Sequence, residues 1–312
     1  MKKMYYSFIV AVFTVFIISY VSFAAVPDSI GTEDASFLKI EPSTRPVAMG
    51  GAFVGLANDV SAVFWNPAGL TQIEKSELTT MYNAWFANIR YASGAYSKPI
   101  GKNAAIALSM QGLWSDIEKR VEDTEKPDST ASVYSYAAGL SGSYALVPKL
   151  FSVGGTVKFL KQDFDIDDSN GVAADIGALI HVSNLGIGIA IQNLKLQMSN
   201  DGKLPLCFRV GGAYQITKGA VIAGDYSKYG ASDPAYHIGV EKWFRDIFAI
   251  RVGYNISSGG NPNKGLSAGF GLKAYGTKPL EDMNFQLDYA YVPAPDWGTM
   301  GDTHRISMIV RF

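Results

Sequence analysis

Over most of this chain, side-chain character alternates with a period of two, and that period admits strands and excludes helices. In residues 248–256, Phe248, Ile250, Val252, Tyr254 and Ile256 share one face, and Ala249, Arg251, Gly253 and Asn255 share the other. Residues 284–291 set Phe285, Leu287, Tyr289 and Tyr291 against Asn284, Gln286, Asp288 and Ala290. Residues 185–191 set Leu185, Ile187, Ile189 and Ile191 against Gly186, Gly188 and Ala190. In residues 206–215, Leu206, Phe208, Val210 and Tyr214 oppose Cys207, Arg209, Gly211 and Gln215. One face is apolar throughout; the other is small or polar.

The runs expected to be strands are 77–85, 89–98, 104–114, 131–146, 151–163, 171–182, 185–193, 204–215, 219–226, 235–243, 247–256, 266–274, 283–292 and 303–312. Most exceed the roughly 5–6 residues of an ordinary globular strand. They match the roughly 9–11 residues that a tilted strand needs to cross a bilayer. The links between them also sort by length. Val147–Leu150, Ser183–Asn184, Ile216–Lys218 and Phe244–Asp246 are tight turns, whereas Ser115–Thr130, Phe164–Asn170, Leu194–Lys203, Ser227–Pro234, Ser257–Gly265 and Pro293–Asp302 are long and polar. Short periplasmic turns and long external loops distinguish outer-membrane barrels from soluble sandwiches. Phe86–Asn88 and Tyr275–Asp282 fit that sorting less well.

The expected fold class is therefore all-β: a transmembrane antiparallel β-barrel of about fourteen strands over residues 77–312. Composition agrees. Charged residues are only 18% and Gly contributes 32 residues, yet no apolar run of helix-spanning length follows the N-terminus. Aromatics collect at strand ends, with Trp85, Trp114, Tyr226 and Tyr291 expected at the outer rim and Tyr144, Phe151, Trp243 and Phe244 at the periplasmic rim.

Residues 1–24 have the layout of a secretory signal peptide: Lys2 and Lys3, an apolar run to Phe23, and Ala24 after Ser22-Phe23. Its removal leaves 25 basic against 28 acidic residues, a net charge of −3 with no basic patch for nucleic acid. Cys207 is the only cysteine, too few for a disulfide framework or a zinc site. At the other end, His304, Ile306, Met308, Val310 and Phe312 alternate with Arg305, Ser307, Ile309 and Arg311. An amphipathic strand closed by an aromatic resembles the C-terminal signal read by the barrel-assembly machinery, so Phe312 is assigned that role.

No catalytic constellation emerges, and neither enzyme activity nor a cofactor is expected. G-x-S-x-G, a phosphate loop and H-E-x-x-H are all missing, and His181, His237 and His304 fall in different strands. The run from Asp163 to Asn170 spaces carboxylates as a calcium loop does. However, Asp168 stands where Gly is required and Ala174 where the bidentate Glu belongs, so a solvated acidic loop is expected. Arg209, Asp225, Glu241, Arg251, Lys273 and Asp288 count onto the inward face. They form either a salt-bridged plug of side chains or a polar pore lining. On register alone, Ile250→Arg should damage assembly far more than Arg251→Ile, because only the first puts a charge into lipid.

Residues 25–76 break the alternation and are expected to be a non-barrel segment lying in the lumen. Met49-Gly50-Gly51-Ala52-Phe53-Val54-Gly55-Leu56-Ala57-Asn58-Asp59, followed by Ala62-Val63-Phe64-Trp65-Asn66-Pro67-Ala68-Gly69-Leu70, resembles the N-terminal signature of the FadL superfamily. The resemblance implies a fourteen-stranded outer-membrane transporter for long-chain fatty acids or other hydrophobic compounds. It also implies a hatch to which Met49, Gly50, Gly51, Asn66, Pro67 and Ala68 belong. The chain lacks most of the long outer loops of FadL itself, and its compact form resembles the PorV/PorQ family, whose members act in type IX protein secretion. The implied partners are thus membrane lipids, the barrel-assembly machinery, and either a hydrophobic small-molecule substrate or secretion-system proteins. A structural outer-membrane barrel without solute flux is a further option.

Overall fold

The structure is a computed structural model that describes residues 34–85, 89–119, 129–164, 168–199, 202–230, 232–257, 264–293 and 302–312. The signal-peptide assignment and residues 25–33 lie outside these, as does the middle of the acidic loop before Asp168. Fourteen strands close into one antiparallel barrel. They are β1 (Glu77–Ala84), β2 (Arg90–Ile100), β3 (Ala104–Lys119), β4 (Ser129–Val147), β5 (Phe151–Asp163), β6 (Asp168–Val182), β7 (Leu185–Met198), β8 (Cys207–Thr217), β9 (Ala220–Tyr229), β10 (Ala235–Phe244), β11 (Phe248–Ser257), β12 (Gly265–Tyr275), β13 (Asn284–Val292) and β14 (Thr303–Arg311). Each strand pairs with its sequence neighbours. The seam is β1 on β14, from Glu77 opposite Arg311 to Ala84 opposite His304, so no edge remains unpaired.

Alternation translates directly into the two faces of the wall. Leu108, Met110, Leu140, Phe159, Ile176, Ile238, Ile250 and Leu287 stand exposed on the outside, while Ala107, Gln111, Ser141, Asp175, His237, Glu241, Arg251 and Asp288 are buried. An apolar belt of this extent cannot face water and is the surface that lipid covers.

One end of the barrel carries the compact turns. Gly101 (φ 64°), Lys149 (60°), Ser183 (56°), Gly219 (77°), Arg245 (52°) and Asp246 (56°) all sit there in the left-handed region. Positive φ matches the strand twist in two-residue hairpins. The link 276–283 is the long exception at this end, as the sequence indicates.

Most boundaries agree with the sequence reading to within about three residues, and two differ by more, for physical reasons. β3 runs on to Lys119, where Asp116 and Glu118 occupy the outward face. That end of the strand stands above the hydrocarbon layer, so hydrophobic alternation no longer marks it. β7 continues to Met198 past a register shift that places Asp175 opposite both Gln192 and Asn193. The bulge buries both residues and breaks the phase of the alternation. Two rim aromatics also turn inward: Trp85 packs beside the apolar cluster of Phe37 and Leu38, and the ring of Trp243 lies under Arg251 and Lys273.

Candidate functional site

Residues 34–76 contribute no strand to the sheet. They form a 3-10 turn at Ser36–Lys39, two one-turn helices, α1 (Thr44–Ala48) and α2 (Ala62–Trp65), and a second 3-10 turn at Pro67–Gln72. Met49, Ala52, Phe53, Val54 and Ala68 are fully buried. α1 packs on β11–β14 and Pro67–Gln72 on β2–β6, opposite sides of the cylinder, so the segment crosses the lumen. Local chemistry shapes its path. Gly50 and Gly51 take φ values of 68° and 89°, which side chains disfavour. Asn66 caps the second 3-10 turn by accepting from Ala68 N at 3.2 Å, and Pro67 starts that turn, where a missing N–H costs nothing.

The wall is cut to receive this backbone. A β-carbon at Gly239 would lie 2.6 Å from Met49 Cβ, and one at Gly154 would lie 2.5 Å from Ala68 N. One at Gly177 would collide with Asn66 Oδ1, at Gly188 with Val54 O, and at Gly253 with Gly50 N. These are the inward-facing glycines of β5, β6, β7, β10 and β11. Part of the glycine content that marked the sequence is therefore a seat for residues 49–68. Asn66 completes it by donating from Nδ2 to Ala178 O at 3.0 Å and to Val54 O at 3.1 Å.

Near the tight-turn end, charge takes over. Arg45 on α1 clasps Glu241 of β10 through two hydrogen bonds of 2.8 Å and reaches Asp59 at 2.5 Å. Glu241 also accepts from Arg251 Nε at 2.6 Å, and Arg251 donates to Asp288 at 2.7 Å. Gln286 joins Asp288 to Arg311, and Arg311 meets Glu77 at 2.7 Å across the β1–β14 seam. Glu77 in turn accepts Val60 N at 2.8 Å. The chain of contacts starts and ends on the lumen segment and runs around the wall between. Arg251 and Asp288 have no exposed surface, and desolvated charges of this kind persist only when paired.

Glu241, Arg251 and Asp288 are thus brought together, with Lys273 on the Trp243 ring that it shares with Arg251, whereas Asp225 and Arg209 lie apart. Asp225 accepts Phe53 N at 2.6 Å and Val54 N at 2.7 Å, so one carboxylate oxygen holds two backbone donors of the lumen segment. His237 contacts Gly50 O at 2.6 Å beside it. Lys273 is half-buried with its ammonium 3.9 Å from the Trp243 ring. Arg209 bonds Gln192 at 3.1 Å and Tyr229 at 2.8 Å, on the edge of a cavity of about 30 Å³. That volume admits a water or two. On the wall side the cavity is lined by Lys158, Asp175 and Gln192, and on the other by Ile40, Val63 and Phe64. Phe312 stacks on Tyr96 on the outer surface, 6.2 Å between rings, and donates its N–H to Ser76 O at 3.0 Å.

Sequence reasoning missed Arg45, Asp59, Glu77, Arg305 and Arg311 as members of this interior. Arg305 and Arg311 were legible as inward positions of β14, and Arg305 bonds Glu41 O at 2.7 Å. Arg45 and Asp59 lie where no periodicity exists, so no sequence signal placed them. Among the described residues no cluster of three His, Cys, Asp or Glu side chains could hold a metal ion.

No family model matches the sequence, and no curated protein does. Among solved structures, the chain resembles the Pseudomonas putida toluene transporter TodX with a TM-score of 0.60 at 12% identity, covering 87% of this chain and 97% of that one. It resembles the CymD monoaromatic hydrocarbon channel with a TM-score of 0.58 at 13% identity, covering 86% and 97%. At such identity the likeness speaks for the fold alone. Together with the closed wall and its apolar belt, it makes this chain a fourteen-stranded β-barrel of the bacterial outer membrane.

Proposed function

We propose that the protein is an outer-membrane channel for small hydrophobic molecules, gated by residues 34–76 acting as a hatch. The observation that carries this reading is that the segment filling the lumen shares no ladder with the wall. It is held by ion pairs, single hydrogen bonds and a glycine seat, and can shift without opening a strand pair. The shared fold with TodX and CymD, described as a toluene transporter and a monoaromatic hydrocarbon channel, supports the substrate class. In this reading Met49, Gly50, Gly51, Asn66, Pro67 and Ala68 are hatch elements. Asp225, Glu241, Arg251 and Asp288 are its wall anchors, and Arg209 and Lys273 line the space around it. Neither of these solved structures is described as a secretion component, and among the described residues no feature of the lumen favours the protein-secretion reading.

Deleting residues 47–69 should leave a folded barrel, seen as heat-modifiable gel mobility, with raised conductance in planar bilayers. Cells carrying the intact protein should take up a hydrophobic dye faster than cells without it. Unchanged conductance in the deletion would remove the hatch; dye uptake equal to that of cells without the protein would remove the channel.

Phe312 is proposed as the assembly signal at the seam. Phe312→Ala should lower the amount of folded barrel in the outer membrane while export stays normal, as quantified by fractionation.

A further inference from the structure

A basic depression opens at the tight-turn end of the wall. Lys218, just after β8, together with Lys242, Trp243, Phe244, Arg245 and Asp246 at the β10–β11 turn, lines an open depression of about 300 Å³. Liquid water occupies roughly 30 Å³ per molecule, so this space suits a headgroup rather than a bare ion. Three cations face it with a single carboxylate. Asp246 lies 3.9 Å from Lys218, whose side chain is 92% exposed, so the pair neutralises little of the charge. Arg245 is held in the turn with φ 52°.

Lys242 is the telling member. It follows Val240 on the outward face of β10, where lipid is expected, and its register partners are Ala220 and Ile250. A lysine on that face is costly at mid-depth and costs almost nothing at the interface, where its stem reaches for the headgroup layer. Ile250 stands beside Lys242, and immediately deeper Ile222, Val240 and Val252 form an exposed apolar strip. Phe244 and Phe248 stack beside it with ring centroids 6.3 Å apart, as aromatics do at a membrane interface. Cations at headgroup depth above an acyl-width apolar strip match one class of molecule, an anionic phospholipid.

We infer that Lys218, Lys242 and Arg245 bind the phosphate headgroup of an anionic phospholipid of the periplasmic leaflet, with its acyl chains along Ile222, Val240 and Val252. The site would fix the depth and tilt of the barrel next to the β10–β11 turn, whatever passes through the lumen. Native mass spectrometry of the full chain in detergent tests it, with phosphatidylglycerol and phosphatidylcholine of identical acyl chains as probes. Phosphatidylglycerol should be retained in preference. Each cation near a membrane surface contributes about fivefold in affinity, so the triple variant K218Q/K242Q/R245N should lose roughly a hundredfold. If that variant fails to fold, Lys218→Gln alone, in an exposed turn, should still lose about fivefold. Equal retention of the two lipids would overturn the assignment, as would unchanged phosphatidylglycerol binding in the variants. Displacement of phosphatidylglycerol by millimolar inorganic phosphate would overturn the lipid in favour of a free-anion site.

Discussion

The lumen segment is held to the two sides of the barrel by different physics. Toward β10–β14 the grip adds ion pairs to the glycine contacts of Gly239 and Gly253: Arg45 forks onto Glu241, and Arg251 and Asp288 extend the contact into the wall. Toward β5–β7 it is steric: Asn66 and Pro67 sit where Gly154, Gly177 and Gly188 leave no β-carbon. The ionic side depends on charges that have lost their water, so it is strong while every partner is present and costly once one is removed. The glycine side depends on shape, fails gradually, and leaves no orphaned charge behind. The hatch proposed above is expected to release first from the glycine side and to pivot about Arg45.

The largest expected effect probes the ionic side. Arg251→Ile leaves Asp288 and part of Glu241 without their charge partner in a dry interior, a loss of about 3–5 kcal/mol. Ile250→Arg puts a charge on the lipid face, but at the level of its register partner Lys242 near the headgroups, where the cost falls well below the mid-depth figure. The network therefore reverses the order that register alone implies. Urea midpoints followed by heat-modifiable mobility will rank the two, and a more damaging Ile250→Arg would mean that the ionic chain is hydrated rather than dry.

The steric side gives an intermediate effect. Gly177→Val collides with Asn66 and should cost about 1–3 kcal/mol of hatch docking. The barrel's own urea midpoint should hold while residues 47–69 become open to protease. Loss of the barrel together with the hatch would show that the two supports are not separable. The smallest effect is Arg45→Lys, which keeps the charge but loses the fork to Glu241, roughly 1 kcal/mol. A modest rise in conductance is expected; none at all would move the pivot away from Arg45.

What was legible in the sequence follows from the membrane. Lipid demands an apolar side chain at every second position and a closed ladder of backbone hydrogen bonds. Strand number, facing and the inward placement of Arg209, Asp225, Glu241, Arg251 and Asp288 could therefore be read from residue order alone. The reading faltered where that constraint stops acting: at Ser115–Lys119 above the hydrocarbon layer, and at Gln192 and Asn193, where a bulge shifts the phase. It also misplaced Trp85 and Trp243, because an aromatic suits a girdle and a lumen floor equally well. The segment 34–76 has no period at all. Which of its groups meet depends on contacts such as Arg45 with Glu241, 196 residues apart, and Asn66 with the carbonyl of Ala178. Local sequence determined the wall, because the bilayer acts on each residue separately. Only the tertiary structure decided the plug, because its partners are supplied by strands that become neighbours when the barrel closes.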